Sequence, residues 1–186
     1  MLTGMNIAVL GGDARQLEVI RKLTELDAKV YLTGFEQLAH AYTGAVKEKL
    51  EDLPVKELDA IILPVAGTNI EGKLDTIFSN MQVILTEAFL KETPEHCTIY
   101  SGISNDYLTN ITKQANRKLV QLFERDDVAI YNSIPTVEGT IMMAIQHTDF
   151  TIHGSNVIVL GLGRVGMSVA RAFHGLGAKV LVGARK

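Results

Sequence analysis

"NVIVLGLGRVGMSVARAFHGLGAKVLVGARK", residues Asn156 to Lys186, is the stretch on which the fold turns. An apolar run, Val157 to Leu160, ends in Gly161, Gly163 and Gly166; "MSVARAFHGLG" carries a helical pattern, and "AKVLVG" returns as a second apolar run. Strand, glycine turn, helix, strand is the context in which G-x-G-x-x-G spacing has a mechanism. Gly161 permits the tight turn, Gly163 lets a pyrophosphate approach the backbone, and Gly166 lets the helix pack close to the strand. Backbone amides at the helix start, around Arg164 and Val165, suit phosphate charge together with the helix dipole. The bland alternative is a tight βα turn that binds nothing.

A dinucleotide site of this kind usually has an acidic residue at the end of the second strand, where it holds the ribose hydroxyls. Here Gly183 and Ala184 stand in its place, and Arg185 and Lys186 follow. Arg185 suits a 2′-phosphate, which makes NADP the expected cofactor with NAD as the alternative; otherwise it is an ordinary surface cation. A β-α-β piece cannot cover both faces of its strands. Val157, Val159, Val180 and Val182 are therefore expected to be exposed, and the residues after about Gly154 to be disordered or paired with another chain, a reason to expect a homo-oligomer.

Upstream, "IPTVEGTIMMAIQHTDFTIHGS" reads as a connecting helix with Pro135 in its first turn. Glu138 then lies near the helix start, either as an acid or base facing a cleft or as a carboxylate favoured by the dipole. Thr136 lies beside it. His147 and His153 flank the junction, and His153 is taken with Glu138 as the catalytic pair; a lone histidine is as readily structural. His40, His96 and His174 belong to no constellation, and no metal-ligand spacing occurs.

Further out still, strands and helices alternate. "NIAVLGG", "AKVYLTG", "DAIILPVAG", "CTIYSG" and "VAIYN" read as strands, and "ARQLEVIRKLTELD" and "NDYLTNITKQANRKLVQLFER" as amphipathic helices. The chain is expected to be α/β. A flavodoxin-like doubly wound parallel sheet spans residues 1–133, a connecting helix or hinge 134–152, and the start of a Rossmann domain 153–186. Ligands bind such sheets at the carboxyl ends of the strands. Gly11, Gly12, Asp13 and Arg15 follow the first strand, Thr68 the third and Ser101 the fourth, so these residues with Thr136 form the expected site for a small dicarboxylate. Turns and caps favour the same residue types.

Composition narrows the classes. The chain has 186 residues, 47% of them hydrophobic and 21% charged, with a formal net charge of −3 and no basic run. Nucleic acid has no electrostatic footprint here. The single cysteine, Cys97, excludes an internal disulfide and reads as a small buried hydrophobe. The N-terminus lacks a basic region and a cleavage site. No run approaches the roughly 20 apolar residues of a membrane span, so a reducing cytoplasm is expected.

Two blocks, "MNIAVLGGDARQLEVIRKL" (Met5–Leu23) and "IPTVEGTIMMAIQHTDFTIHGSNVIVLGLGRVG" (Ile134–Gly166), and the order of the domains resemble the dipicolinate synthase A-subunit family of spore-forming bacteria. The two-domain plan with a helical hinge is also similar to D-2-hydroxyacid dehydrogenases and S-adenosylhomocysteine hydrolase. The resemblance implies a chain that runs on past Lys186 to complete the nucleotide-binding sheet. It further implies oxidation, with loss of water, of a dihydro- or hydroxytetrahydrodipicolinate precursor to dipicolinate, in the mother cell of a sporulating bacterium. The implied partner is the flavin-binding B subunit of the same synthase. The residues alone reach a nucleotide-dependent enzyme of a small polar substrate, and leave open a 2-hydroxy acid dehydrogenase or a non-catalytic dinucleotide-binding regulator.

Overall fold

The computed structural model describes residues 1–39 and 42–185, so His40 and Lys186 lie outside the described residues. The chain divides into two compact units, Met1–Leu122 and Phe123–Lys186.

In the first unit β1 (Asn6–Leu10) leads through a glycine turn into α1 (Ala14–Glu25), then β2 (Lys29–Thr33), β3 (Ala45–Lys47) and β4 (Ala60–Ile62). A short antiparallel pair follows, β5 (Lys73–Leu74) with β6 (Val83–Ile84). Then come α2 (Glu87–Glu92), β7 (Thr98–Ser101), α3 (Asp106–Gln114) and β8 (Lys118–Gln121). Six strands form one sheet in the order β3-β2-β1-β4-β7-β8, and every pairing in it is parallel. Without the short edge strand β3 the order is that of a flavodoxin-like sheet, and with it the six strands follow the Rossmann order.

The alternation of side chains along β1 divides the core in two. Ala8 and Leu10 join Ile61, Ile99, Leu90 and Leu108 on one face; Ile7 and Val9 join Ile20, Val30 and Phe35 on the other. A strand buried on both faces has no polar side, which is why "IAVL" reads as an unbroken apolar run.

Two expected elements differ. "NDYLTNITKQANRKLVQLFER" is not one helix: α3 stops at Gln114, Asn116 takes φ 53°, and β8 follows. "VAIYN" is not a strand, because residues 128–132 lie inside α4 (Asp126–Gln146), which opens the second unit. The expected boundary at residue 133 therefore falls within a helix. Pro135 sits in that helix's interior rather than its first turn. Its missing N–H leaves the Tyr131 carbonyl without its helical donor. One turn earlier the Ser133 hydroxyl donates to the Ile130 carbonyl at 2.6 Å.

The second unit continues with β9 (Asn156–Leu160), α5 (Arg164–Gly175) and β10 (Lys179–Gly183), the two strands pairing in parallel. Val157, Val159 and Val180 are half-buried rather than exposed, and their alternation with Ile158, Leu160 and Leu181 puts the two sets on opposite faces. Val182 is exposed as expected. Among the described residues no helix is long and apolar enough to cross a membrane, and no group of His, Cys, Asp and Glu is placed to hold a metal ion.

Candidate functional site: two glycine turns, one closed and one open

The glycine turns after β1 and after β9, each between a strand and a helix, differ in what their amides and glycines meet. After β1, the Gly11 N–H donates to the Thr33 carbonyl at 2.8 Å and the Gly12 N–H to the Asp75 carbonyl at 2.7 Å. The Asp13 N–H donates to the Gln16 side chain at 3.0 Å. Asp13 caps α1, accepting the Arg15 N–H at 2.9 Å, and with Gln16 forms a capping box. Each of the amides expected to cradle a carboxylate is thus engaged within the chain. The glycines are needed for the chain's own packing. A Cβ on Gly11 would lie 2.6 Å from the Asp75 carbonyl oxygen, and one on Gly12 2.5 Å from the Gln16 side chain, both at positive φ. The segment carrying β5 and β6 closes this edge, and Phe78 stacks on Phe35 with ring centroids 5.8 Å apart.

The other expected substrate residues behave alike. Arg15 grips Asp13 with two nitrogens, Nε at 3.0 Å and Nη2 at 2.5 Å, and this hydrogen bonding holds the Asp13 carboxyl below its ordinary value. It does not pair with Glu18, which is taken by Arg21. The guanidinium stays largely exposed. Ser101 is buried and its hydroxyl donates to the Ile103 carbonyl at 2.6 Å. Thr68 is buried too, and its hydroxyl has no partner among the described residues. Burial pushes the Cys97 thiol up to about 11, so it is neutral and unreactive at physiological pH.

The turn after β9 has the opposite character. Gly163 is the N-cap of α5, at φ −80° and ψ −174°, and among the described residues no side chain caps the helix. The amides of Arg164, Val165 and Gly166 have no partner among the described residues. Gly166 is required by packing, since a Cβ there would run into the Gly161 carbonyl oxygen. Gly161 has φ +111° and needs glycine for its backbone. Gly163 needs neither: its φ suits any residue, and a Cβ would meet nothing within 4 Å. What its missing side chain leaves is open space in front of uncapped helix amides. A pyrophosphate would need that space and those donors, so the residues fit the group.

Around this turn, Gly161 N–H donates to the Gly183 carbonyl at 2.7 Å, which brings the end of β10 to the glycine turn; Arg185 follows two residues later and is exposed. The Arg164 side chain points back to the start of α4, donating to the Phe123 carbonyl at 2.8 Å and pairing with Asp126 at 2.8 Å. The expected catalytic residues are elsewhere. His153 precedes β9 and packs on Gly177, at the opposite end of the strand from the glycine turn and about 15 Å away along its axis. Thr136 and Glu138 are exposed in the middle of α4, not at its start, which removes the helix-dipole reading of Glu138. Sequence reasoning did not include Asp126 or Ser168, which together with Ser133 fasten α4 to α5. The Ser133 and Ser168 hydroxyls are 3.1 Å apart.

Two α/β units in series, the first with its strands in the Rossmann order and the second with this turn between β9 and α5, define a Rossmann-type fold. Residues 6–123 match the family described as the N-terminal domain of the dipicolinate synthase A subunit, and the chain belongs to the dipicolinate synthase A-subunit family. It is 66% identical over 185 residues to the dipicolinate synthase A subunit of Bacillus subtilis (strain 168), covering 100% of this chain and 62% of that protein. The crystal structure of the B. subtilis protein superposes with a TM-score of 0.94. That of the corresponding protein from Bacillus halodurans superposes at 0.91 with 63% identity, over 100% of this chain and 64% of that one. The chain thus spans somewhat under two thirds of these relatives. NAD+-bound 3-phosphoglycerate dehydrogenase of Entamoeba histolytica shares the fold, with a TM-score of 0.51 and 15% identity over 97% of this chain and 54% of that one.

Proposed function

We propose that the protein acts as the A subunit of a dipicolinate synthase. In this reading it oxidises, with loss of water where the substrate is hydroxylated, a dihydro- or hydroxytetrahydrodipicolinate precursor to the aromatic dicarboxylate. The setting is the mother cell of a sporulating bacterium, and the partner is a flavin-binding B subunit. The observation that carries the nucleotide part is Gly163, a glycine that neither backbone nor packing requires, in front of uncapped amides. When bound there, a nicotinamide dinucleotide supplies a hydride acceptor.

The chain's own residues divide the remaining work. Amides of Arg164 and Val165 hold the pyrophosphate, with Gly161, Gly163 and Gly166 shaping the turn. Arg185 holds a 2′-phosphate, which makes NADP the preferred cofactor over NAD. In the first unit the amides of Gly11, Gly12 and Asp13 are engaged, and so is the Ser101 hydroxyl. Of the expected substrate contacts, the exposed Arg15 is the group best able to meet a carboxylate. Glu138, exposed on α4 beside Thr136, is the group available to move a proton.

The test is to incubate the protein, with and without its flavin-binding partner, with the cyclic precursor and NADP+. Ultraviolet absorption reports the aromatic product. Product formation that depends on the nicotinamide cofactor is expected, and Arg185→Asp should reverse a preference for NADP+ over NAD+ in binding titrations. Aromatic product formed by the partner alone would overturn the assignment. Equal affinity of the unaltered protein for both nucleotides would remove the role of Arg185.

A further inference from the structure

Beside the glycine turn lies a cavity of about 570 Å³, walled by Phe123, Ala129, Asn132, Val159, Arg164 and Val169 with the turn itself. The wall is mainly apolar. Only two of its side chains, those of Asn132 and Arg164, can form hydrogen bonds. Arg164 is already engaged by the Phe123 carbonyl and Asp126. The Asn132 carboxamide has no partner among the described residues, and Asn132 is exposed. Its position is nevertheless fixed on both sides. The Arg164 contacts hold the start of α4, and the adjacent Ser133 is buried against Ser168 of α5.

We infer that Asn132 binds the nicotinamide–ribose half of the dinucleotide. The inference rests on the reading of the glycine turn given above. In a Rossmann unit the adenosine ribose lies at the end of the second strand, here β10, and the pyrophosphate lies on the helix amides. No β10 residue lines this cavity, so the cavity is on the side left for the other half of the ligand. An apolar wall suits a flat ring, and one carboxamide, donor and acceptor at once, suits ribose hydroxyls or the ring's own carboxamide.

The test is titration of the protein with NADP+ and, in parallel, with adenosine 2′,5′-bisphosphate, which lacks the nicotinamide half. Asn132→Ala should weaken NADP+ binding about three- to tenfold, as expected for one neutral hydrogen bond, and leave the bisphosphate affinity unchanged. Asn132→Leu, similar in size but without polar atoms, should reproduce the loss. Both residues are better helix formers than asparagine, so the helix is kept, and circular dichroism checks it. Unchanged NADP+ affinity, or equal loss for both ligands, would overturn the inference while leaving the glycine-turn reading intact. A wild-type protein that binds neither nucleotide would overturn both.

Discussion

Three glycines in one turn are held for three different reasons, and substitution separates them. Gly161 serves the backbone, Gly166 the contact of α5 with the turn, and Gly163 only the space in front of the helix amides. Gly163→Ala should unfold within about 1 kcal/mol of the native protein, since alanine is merely a poorer N-cap, yet should lose at least tenfold in dinucleotide affinity. Gly166→Ala should cost about 1–3 kcal/mol by overpacking. Thermal unfolding and nucleotide titration of the two variants check the contrast. A Gly163→Ala protein that binds as well as the native one would mean the open space has no occupant. The same comparison shows what was legible in the sequence. Strand, glycines and helix were readable at both turns, because each follows from local pattern. That Gly11 and Gly12 face Asp75 and Gln16, while Gly163 faces nothing, was not, because Asp75 is more than sixty positions away in the chain.

At the scale of elements the misreadings cluster between residues 105 and 135. The run "NDYLTNITKQANRKLVQLFER" keeps a helical look across its length, and the signal that breaks it is Asn116, a residue tolerated at the left-handed position just after a helix. Asp27, at φ 65°, does the same after α1, where the following strand was easier to recognise. "VAIYN" is β-rich by composition but is claimed by α4, whose partner α5 is supplied from far along the chain. The left-handed assignment is testable. Asn116→Gly should leave stability unchanged or slightly raised, whereas Asn116→Ala should lower it by about 1–2 kcal/mol. Urea unfolding of both variants reads the order, and an alanine variant as stable as the glycine one would contradict the cap.

On the scale of the whole molecule, the two units bury their sheets unequally. The first unit's sheet has an apolar cluster on each face. In the second, α5 covers only the face of Val157, Val159 and Val180. The other face presents Ile158, Leu160 and Leu181, exposed at 67%, 84% and 66%. Register places Leu181 opposite Ile158, so these side chains form a continuous apolar strip rather than scattered residues. Beside it, β9 pairs only with β10 among the described residues. A two-stranded ribbon with a bare apolar face and unpaired backbone is poorly stable by itself and prone to pair with another chain. The 186-residue chain should therefore self-associate as its concentration rises, which light scattering coupled to size exclusion would register. Replacing Ile158 and Leu181 together by threonine keeps strand propensity while removing most of the strip, and should shift the protein toward the monomer without altering the first unit. A chain that stays monomeric over the whole accessible concentration range, and whose behaviour the double substitution does not change, would show that this face needs no cover.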